Sequence, residues 1–367
     1  MRTMEKPMNE EKDMQLKDIQ FMKRAIMLAQ QAYPAPNPQV GAVLVKNNNI
    51  IAEGFHAKAG EPHAEIMALK DAEKKGILAD GATLYVTLEP CCHFGKTPPC
   101  IDAIIVAGIK RVVVGCVDQN QLVNGAGVSG LVQAGVTVNV GVCGKECGAV
   151  YKNFFHVQKT KKPYITLKSA ITLDAKIAAG PKKQTAISSE QSKYKAHELR
   201  RDNDGILVGI GTVLSDNPQL NCRIPCKKQP IPVILDSHLR IPLDAKVLKN
   251  KPIIITGKMY DKKKYTALQK KAQIIVTTGE KVVLEQALQK LPEYGILSLL
   301  VEGGSEINAL FFQKKAVDHI CFFIAPKLFG SGVPLFAPLK EAKQAIVKNV
   351  KYSQTGTDIC VEADLEW

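Results

Sequence analysis

Between Val40 and Val140 short apolar, β-branched runs alternate with stretches of helical periodicity, and this rhythm constrains the fold more than any other feature of the chain. Strand-like runs stand at Val40 to Val45, Ile50 to Gly54, Thr83 to Leu88, Arg111 to Cys116 and Val136 to Val140. Helical patterns separate them at Ala64 to Lys74, about Ile101 to Ala107 and about Val128 to Ala134. A helix at Met14 to Tyr33, with Leu16, Ile19, Met22 and Ile26 at helical spacing, leads in and is ended by the proline-rich stretch Pro34 to Pro38. Elements in this order must stack as a layered α/β unit. The rhythm resumes at Tyr164 with strands at Tyr164 to Lys168, Gly205 to Val208, Pro232 to Leu235, Pro252 to Ile255, Leu297 to Val301, His319 to Ala325 and Ile359 to Leu365, and a helix at Ser189 to Arg201. A second α/β unit follows. The segment 148–162, ending in lysines before Pro163, reads as a linker and residues 1–17 as a charged extension, leaving units at 18–147 and 163–367.

Charge bears on what such units could bind. The chain has a net charge of +14, yet residues 1–150 carry 15 basic against 15 acidic side chains, so the whole excess lies in the second half. Lysine supplies 42 of the 49 basic residues, and its runs have few aromatic neighbours on which bases could stack. A solvated surface that attracts phosphorylated small molecules fits better than a nucleic-acid groove. No apolar run approaches the roughly 20 residues that span a bilayer, and the charged N-terminus has no secretory pattern, so a soluble cytoplasmic protein without membrane contact is expected. Ten cysteines are then reduced thiols, and metal binding is the leading special use for any cluster of them.

Such a cluster exists. His63-Ala-Glu65 opens a predicted helix, and Pro90-Cys-Cys92 with Cys100 follows a predicted strand. A catalytic zinc takes three protein ligands and keeps one position for water; an imidazole and two thiolates meet that need. Glu65, two residues from the histidine, can serve the water without occupying the metal, the placement of a general acid/base. H-x-E followed by a Pro-Cys motif is the zinc-deaminase signature, here with an enlarged loop from Cys92 to Pro99. Gly125-Ala-Gly-Val-Ser-Gly130 satisfies G-x-G-x-x-G but stands too far from its strand and lacks the downstream acid, so it reads as a glycine-rich turn. Cys222 and Cys226 lack the further ligands a second metal site needs.

The segments Pro36 to Gly41, Gly54 to Glu65 and Glu89 to Cys100 closely resemble the deaminase half of the bifunctional riboflavin-biosynthesis deaminase/reductase family, over about residues 18 to 147. The resemblance implies a cytidine-deaminase-like layered α/β domain with zinc on His63, Cys91 and Cys100 and with Glu65 shuttling protons. It implies further that Asn37, His56, His93 and Lys96 hold a pyrimidine and its ribose phosphate. An amide can match a heterocycle edge and a lysine on a glycine-containing loop suits a phosphate, in agreement with those roles.

Leu167 to Asp174, Gly209 to Pro218, Val233 to Ser237 and Val301 to Gly304 are similar to the reductase half of the same family. The implied fold is dihydrofolate-reductase-like, an α/β domain that binds NADPH without a dinucleotide fingerprint. Ala170, Thr212, Asp216, Ser237 and the run Gly304, Ser305, Glu306, Ile307, Asn308, Ala309 and Leu310 would line the NADPH, with glycines ahead of a helix N-terminus that can receive phosphate. Arg200 and Arg223 would grip the substrate phosphate, and Lys168, Gln184, Leu220 and Glu302 would complete the pocket. The family carries glycine where Ala175 stands and an aromatic residue where Ala186 stands. The resemblance thus implies a two-domain enzyme, compatible with a homo-oligomer, that deaminates a diaminopyrimidinone ribosyl phosphate and reduces its ribosyl group to ribityl. Two rivals are a nucleic-acid base deaminase and a deaminase whose second half only assembles.

Overall fold

The computed structural model describes residues 5–94, 98–119, 124–180, 185–339, 341 and 344–367. The chain divides into two compact units, residues 1–160 and 161–367. In the first, helix α1 (Glu5–Ala29), strands β1 (Gly41–Lys46) and β2 (Asn49–Phe55), α2 (Ala64–Lys74), β3 (Thr83–Leu88), α3 (Cys100–Val106), β4 (Arg111–Cys116), α4 (Ala126–Gln133), β5 (Thr137–Val140) and α5 (Gly144–Thr160) follow in order. The sheet runs β2-β1-β3-β4-β5, antiparallel around β1 and parallel from β3 to β5. The core lies on both faces of β1, β3 and β4, where Val43, Leu44, Leu84, Val86, Val112, Val113 and Val114 are closed to solvent.

Helix packing here is close enough to be read from one glycine. A Cβ on Gly54 of β2 would lie 2.3 Å from the Ala68 nitrogen and 2.4 Å from the Ala64 oxygen. Only glycine lets α2 rest its backbone on this strand, and α2 is the helix that carries the H-x-E motif.

The second unit contains β6 (Tyr164–Thr172), β7 (Lys176–Ala178), α6 (Glu190–Asp202), β8 (Gly205–Gly209), α7 (Ile210–Asp216), β9 (Ile231–Leu235), β10 (Ile253–Thr256), α8 (Lys262–Gln269), β11 (Gln273–Val276), α9 (Leu284–Lys290), β12 (Ser298–Val301), α10 (Ser305–Gln313), β13 (His319–Ala325), β14 (Val333–Pro334), β15 (Ile346–Thr355) and β16 (Asp358–Glu366). Nine strands form one sheet in the order β11-β10-β9-β8-β12-β6-β13-β16-β15, and β7 pairs with β14 apart from it. All pairings from β11 to β13 are parallel, and only the two made by β16, with β13 and with β15, are antiparallel. A parallel sheet buried on both faces explains the near-continuous apolar runs at Ile206 to Val208, Val233 to Leu235 and Ile253 to Ile255. Among the described residues no helix is long and apolar enough to cross a membrane.

One expectation is corrected. The segment 148–162 is not a linker: it forms most of α5, with Cys147 and Tyr151 buried in the first core one turn apart and lysines left on the outer side and at the end. Helix α1 is already helical from Glu5, residues 12–16 on it are exposed, and its packing begins at Asp18, which accepts from both terminal guanidinium nitrogens of Arg111, at 2.8 and 2.6 Å.

Ala175, where the family carries glycine, has φ +56° in the turn between β6 and β7. A left-handed conformation costs a non-glycine residue about 1–2 kcal/mol, partly offset by the larger chain entropy that glycine loses on folding. Ala175→Gly should therefore stabilise the protein by about 0.5–1 kcal/mol, a rise of about 1–4 °C in Tm in a thermal scan. A lower Tm would contradict this account of the turn.

Candidate active site

Parallel sheets place ligands outside the carboxyl ends of their strands, and in both units several of the described candidate residues follow a strand end. In the first, β3 ends at Leu88 and runs into Glu89, Pro90 and Cys91, while β4 ends at Cys116 just before Asp118. Opposite, His63 is the residue before the first turn of α2 and Cys100 begins α3. One ligand atom each of His63, Cys91 and Cys100 comes within 4.8 Å of the other two, the one such metal-capable group among the described residues. His63 Nδ1 lies 3.3 Å from Cys100 Sγ and 3.6 Å from Cys91 Sγ, and the Cys100 N–H donates to Cys91 Sγ at 3.3 Å. The Cys100 thiol beside it, with help from His63 and against the opposing effect of burial, holds Cys91 down at about 4, while Cys100 is pushed up by sharing that charge. One imidazole and two sulfurs are the donor set of a catalytic zinc. Cys92 is half-buried, outside the group, and raised by burial.

Glu65 is 3 % exposed, and burial pushes its carboxyl up to about 7. It shares a cavity of about 390 Å³ with Asn37, His56, His63, Cys91 and His93. Asn37 Nδ2 donates to His56 Nε2 at 3.0 Å, and His56 Nδ1 donates to the Pro62 carbonyl at 3.1 Å. Both ring nitrogens of His56 are thus engaged, and its buried imidazole is lowered chiefly by desolvation. Lys96 lies outside the described residues. Sequence reasoning missed three further walls of the cavity: Asp118, Phe154 and Gln158. The last two come from α5, and the spacing of Cys147, Tyr151, Phe154 and Gln158 would have revealed them. Gln158 Nε2 donates to Asp118 Oδ1 at 3.3 Å.

The glycine-rich turn is explained by Glu89. Its carboxylate accepts from the N–H groups of Gly125, Val128 and Asp118 at 2.9, 3.1 and 3.2 Å, so the start of α4 is capped by the protein's own anion. A Cβ on Gly127 would lie 2.1 Å from the Pro90 oxygen, which is why small residues crowd this turn beside the cysteine loop.

In the second unit the neighbouring strands β9, β8, β12 and β6 deliver Ser237, the α7 residues Thr212 and Asp216, Glu302, and Lys168 with Ala170. Glu302 forms a fork with Arg200, Nε to Oε1 at 2.9 Å and Nη2 to Oε2 at 2.7 Å, and Lys168 Nζ stands 3.9 Å away. Burial raises this carboxyl, but Lys168 and Arg200 outweigh it and hold Glu302 at about 2. Arg200 is therefore engaged with Glu302 and, through Nη1, with the Asn221 carbonyl, rather than standing open for a phosphate; Arg223 is exposed. Leu220, at φ +52°, packs its side chain into the core. The expected cofactor run splits in the same way. Asn308 and Ala309 are buried and Ile307 and Leu310 pack on the core, whereas the N–H groups of Ser305, Glu306 and Ile307 begin α10 beyond Gly304, where a Cβ would meet nothing within 4 Å. Ser305 Oγ is buried without a hydrogen-bond partner, an orphan that a cofactor phosphate at this N-terminus would satisfy. Gln184 lies outside the described residues.

One unit built around a zinc donor set with a buried carboxyl, and another whose strand ends gather a helix N-terminus and a charged cluster, define a deaminase joined to a reductase. Residues 15–116 match the cytidine and deoxycytidylate deaminase zinc-binding region, and residues 163–361 the RibD C-terminal domain. The chain is 44% identical over 351 residues to riboflavin biosynthesis protein RibD of Aquifex aeolicus, covering 94% of this chain and 97% of that one. To RibD of Escherichia coli it is 35% identical, covering 94% and 99%. Among solved structures, Acinetobacter baumannii RibD superposes with a TM-score of 0.82 at 34% identity over 96% of this chain and 100% of that one. The Thermotoga maritima diaminohydroxyphosphoribosylaminopyrimidine deaminase/5-amino-6-(5-phosphoribosylamino)uracil reductase gives 0.79 at 37%, over 96% and 99%. The chain belongs to the RibD family of riboflavin biosynthesis proteins, bifunctional enzymes with a zinc-dependent deaminase and an NADPH-dependent reductase.

Proposed function

We propose that residues 1–160 hydrolytically deaminate a diaminopyrimidinone ribosyl phosphate and that residues 161–367 reduce the ribosyl group of the product to ribityl, in the cytoplasm. The observation that carries this reading is Glu65 buried in the same cavity as His63 and Cys91, which group with Cys100 as a set of three metal donors. These three side chains would hold the zinc, which when bound supplies Lewis-acid activation of water. Glu65, poised near neutrality, takes a proton from the water at its carboxylate and returns it to the departing amine, so that ammonia leaves. Asn37, its Nδ2 fixed by His56, offers Oδ1 to an N–H of the ring. A 390 Å³ cavity in a unit whose residues 1–150 carry as many acidic as basic side chains favours a small molecule over a nucleic-acid strand.

In the reductase, Ser305 and the first N–H groups of α10, with Thr212, Asp216, Ser237 and Ala170, would hold NADPH, which supplies the hydride. Glu302, kept ionised by Lys168 and Arg200, accepts from the ribosyl hydroxyls and orients that group, and Arg223 serves the phosphate. Supplying the diaminopyrimidinone ribosyl phosphate with and without NADPH and weighing the products tests the whole sequence. Exchange of an amino group for oxygen, which raises the mass by about one unit as ammonia is released, is expected without NADPH, and a further gain of two hydrogens with it; an unchanged substrate overturns it. The ligand assignment has its own test in zinc content. Cys91→Ser and Cys100→Ser should lose most of the metal while Cys92→Ser keeps it, and the reverse pattern would exchange Cys92 for Cys91.

A further inference from the structure

We propose that His197 is a further residue of the reductase's phosphate subsite, donating from Nε2 to the substrate phosphate while its Nδ1 fixes the segment that carries Arg223. The inference rests on the reading above that this unit binds a ribosyl phosphate.

His197 and Arg200 are three residues apart on α6 and so share a face, the face from which Arg200 reaches Glu302. From that face α6 clasps residues 221–223 by three contacts. Arg200 Nη1 donates to the Asn221 carbonyl at 3.2 Å, Cys222 Sγ donates to the His197 carbonyl at 3.3 Å, and the Arg223 N–H donates to His197 Nδ1 at 3.3 Å. Gln229 closes the loop behind them, accepting from the Cys222 N–H at 2.8 Å and donating to its carbonyl at 3.1 Å. Arg223 is thereby held at a fixed backbone position although its side chain is exposed.

The third contact also sets the chemistry of the ring. With Nδ1 accepting a backbone N–H, the proton of the neutral imidazole belongs on Nε2, which makes no hydrogen bond among the described residues. Burial, then the charges of Arg200 and Arg223, lower the basicity of His197 and keep it in this neutral, donor-bearing form. Lys168, Arg200 and Arg223 all act on the ring against the single carboxylate Glu302. That surplus of positive charge calls for an anion, and an N–H that donates without bringing a further charge completes a site for the tetrahedral oxygens of a phosphate.

The test is steady-state reduction by the full-length enzyme, using the deaminated intermediate in its phosphorylated and dephosphorylated forms. His197→Ala should raise KM for the phosphorylated form about ten- to a hundredfold, as expected for a lost hydrogen bond to a charged group, with a much smaller change in kcat. Its effect on the dephosphorylated form should be far smaller. His197→Gln, whose amide can accept from the Arg223 N–H and still donate, should recover most of the loss and keeps the test valid should the alanine variant fold poorly. A KM increase of equal size for both forms would mean that His197 only braces the loop, and an alanine variant retaining the parent's preference for phosphate would likewise overturn the proposal. Should the parent itself show no preference, the phosphate reading of the whole subsite falls, an outcome distinct from the failure of His197 alone.

Discussion

Glu65→Gln should bind zinc as the parent does and release ammonia about 10²- to 10⁴-fold more slowly, the range that a positioned general acid/base contributes. The substitution keeps the size of the side chain and replaces a carboxyl that is 3 % exposed, so the fold and the His63, Cys91 and Cys100 group have no reason to move. What it removes is a proton carrier. Burial has already brought the carboxyl to about 7, where it takes and returns protons with little cost in either direction, and an amide can do neither. Zinc content by atomic absorption and ammonia release by a coupled assay separate the two effects. Turnover within tenfold of the parent at full zinc occupancy would remove Glu65 from the mechanism.

Glu302→Gln should cripple reduction while deamination proceeds and its product accumulates. The fork to Arg200 spans 102 residues of sequence and is largely buried, so the glutamine leaves a buried guanidinium without its counter-charge, a loss of about 3–5 kcal/mol by comparison with other broken buried pairs. Because Glu302 lies low in the folded protein, its contribution to stability is present above about 4.5 and is lost as pH falls toward about 2; the variant should lack this acid-limb dependence. Arg200→Ala should damage reduction similarly, and the double variant should be little worse than either single one, since the two side chains form one unit. Additive losses in reductase kcat/KM would show that Arg200 and Glu302 act separately, with the arginine on the phosphate after all.

What the sequence made legible follows from how locally each feature is encoded. His63, Glu65, Cys91 and Cys100 could be read because zinc chemistry restricts residue type and because each lies next to a strand or helix boundary that periodicity marks. The pairing of Arg200 with Glu302 could not, since nothing local in α6 records what waits at the end of β12. Helix α5 was hidden by its lysines and by Gly148, which drew attention from the apolar side formed by Cys147, Tyr151 and Phe155. Strand β15 escaped for the opposite reason: with nearly every residue from Ile346 to Gln354 exposed, it has no buried face and so no alternation to detect. The glycines at 125 and 127 read as a turn, and its partner, the Glu89 carboxylate, became visible only in three dimensions.

Phe154 and Gln158 give α5 a meaning for how such a gene can be divided. The stretch matching a zinc-binding region stops at residue 116, well short of the helix that walls the cavity, and a cut at 147 would also leave that wall behind. A free-standing deaminase, whether made in the laboratory or by fission of an ancestral gene, has to take its last helix with it as far as Thr160. A reductase relieved of that helix can begin at Pro163, one residue before its first strand.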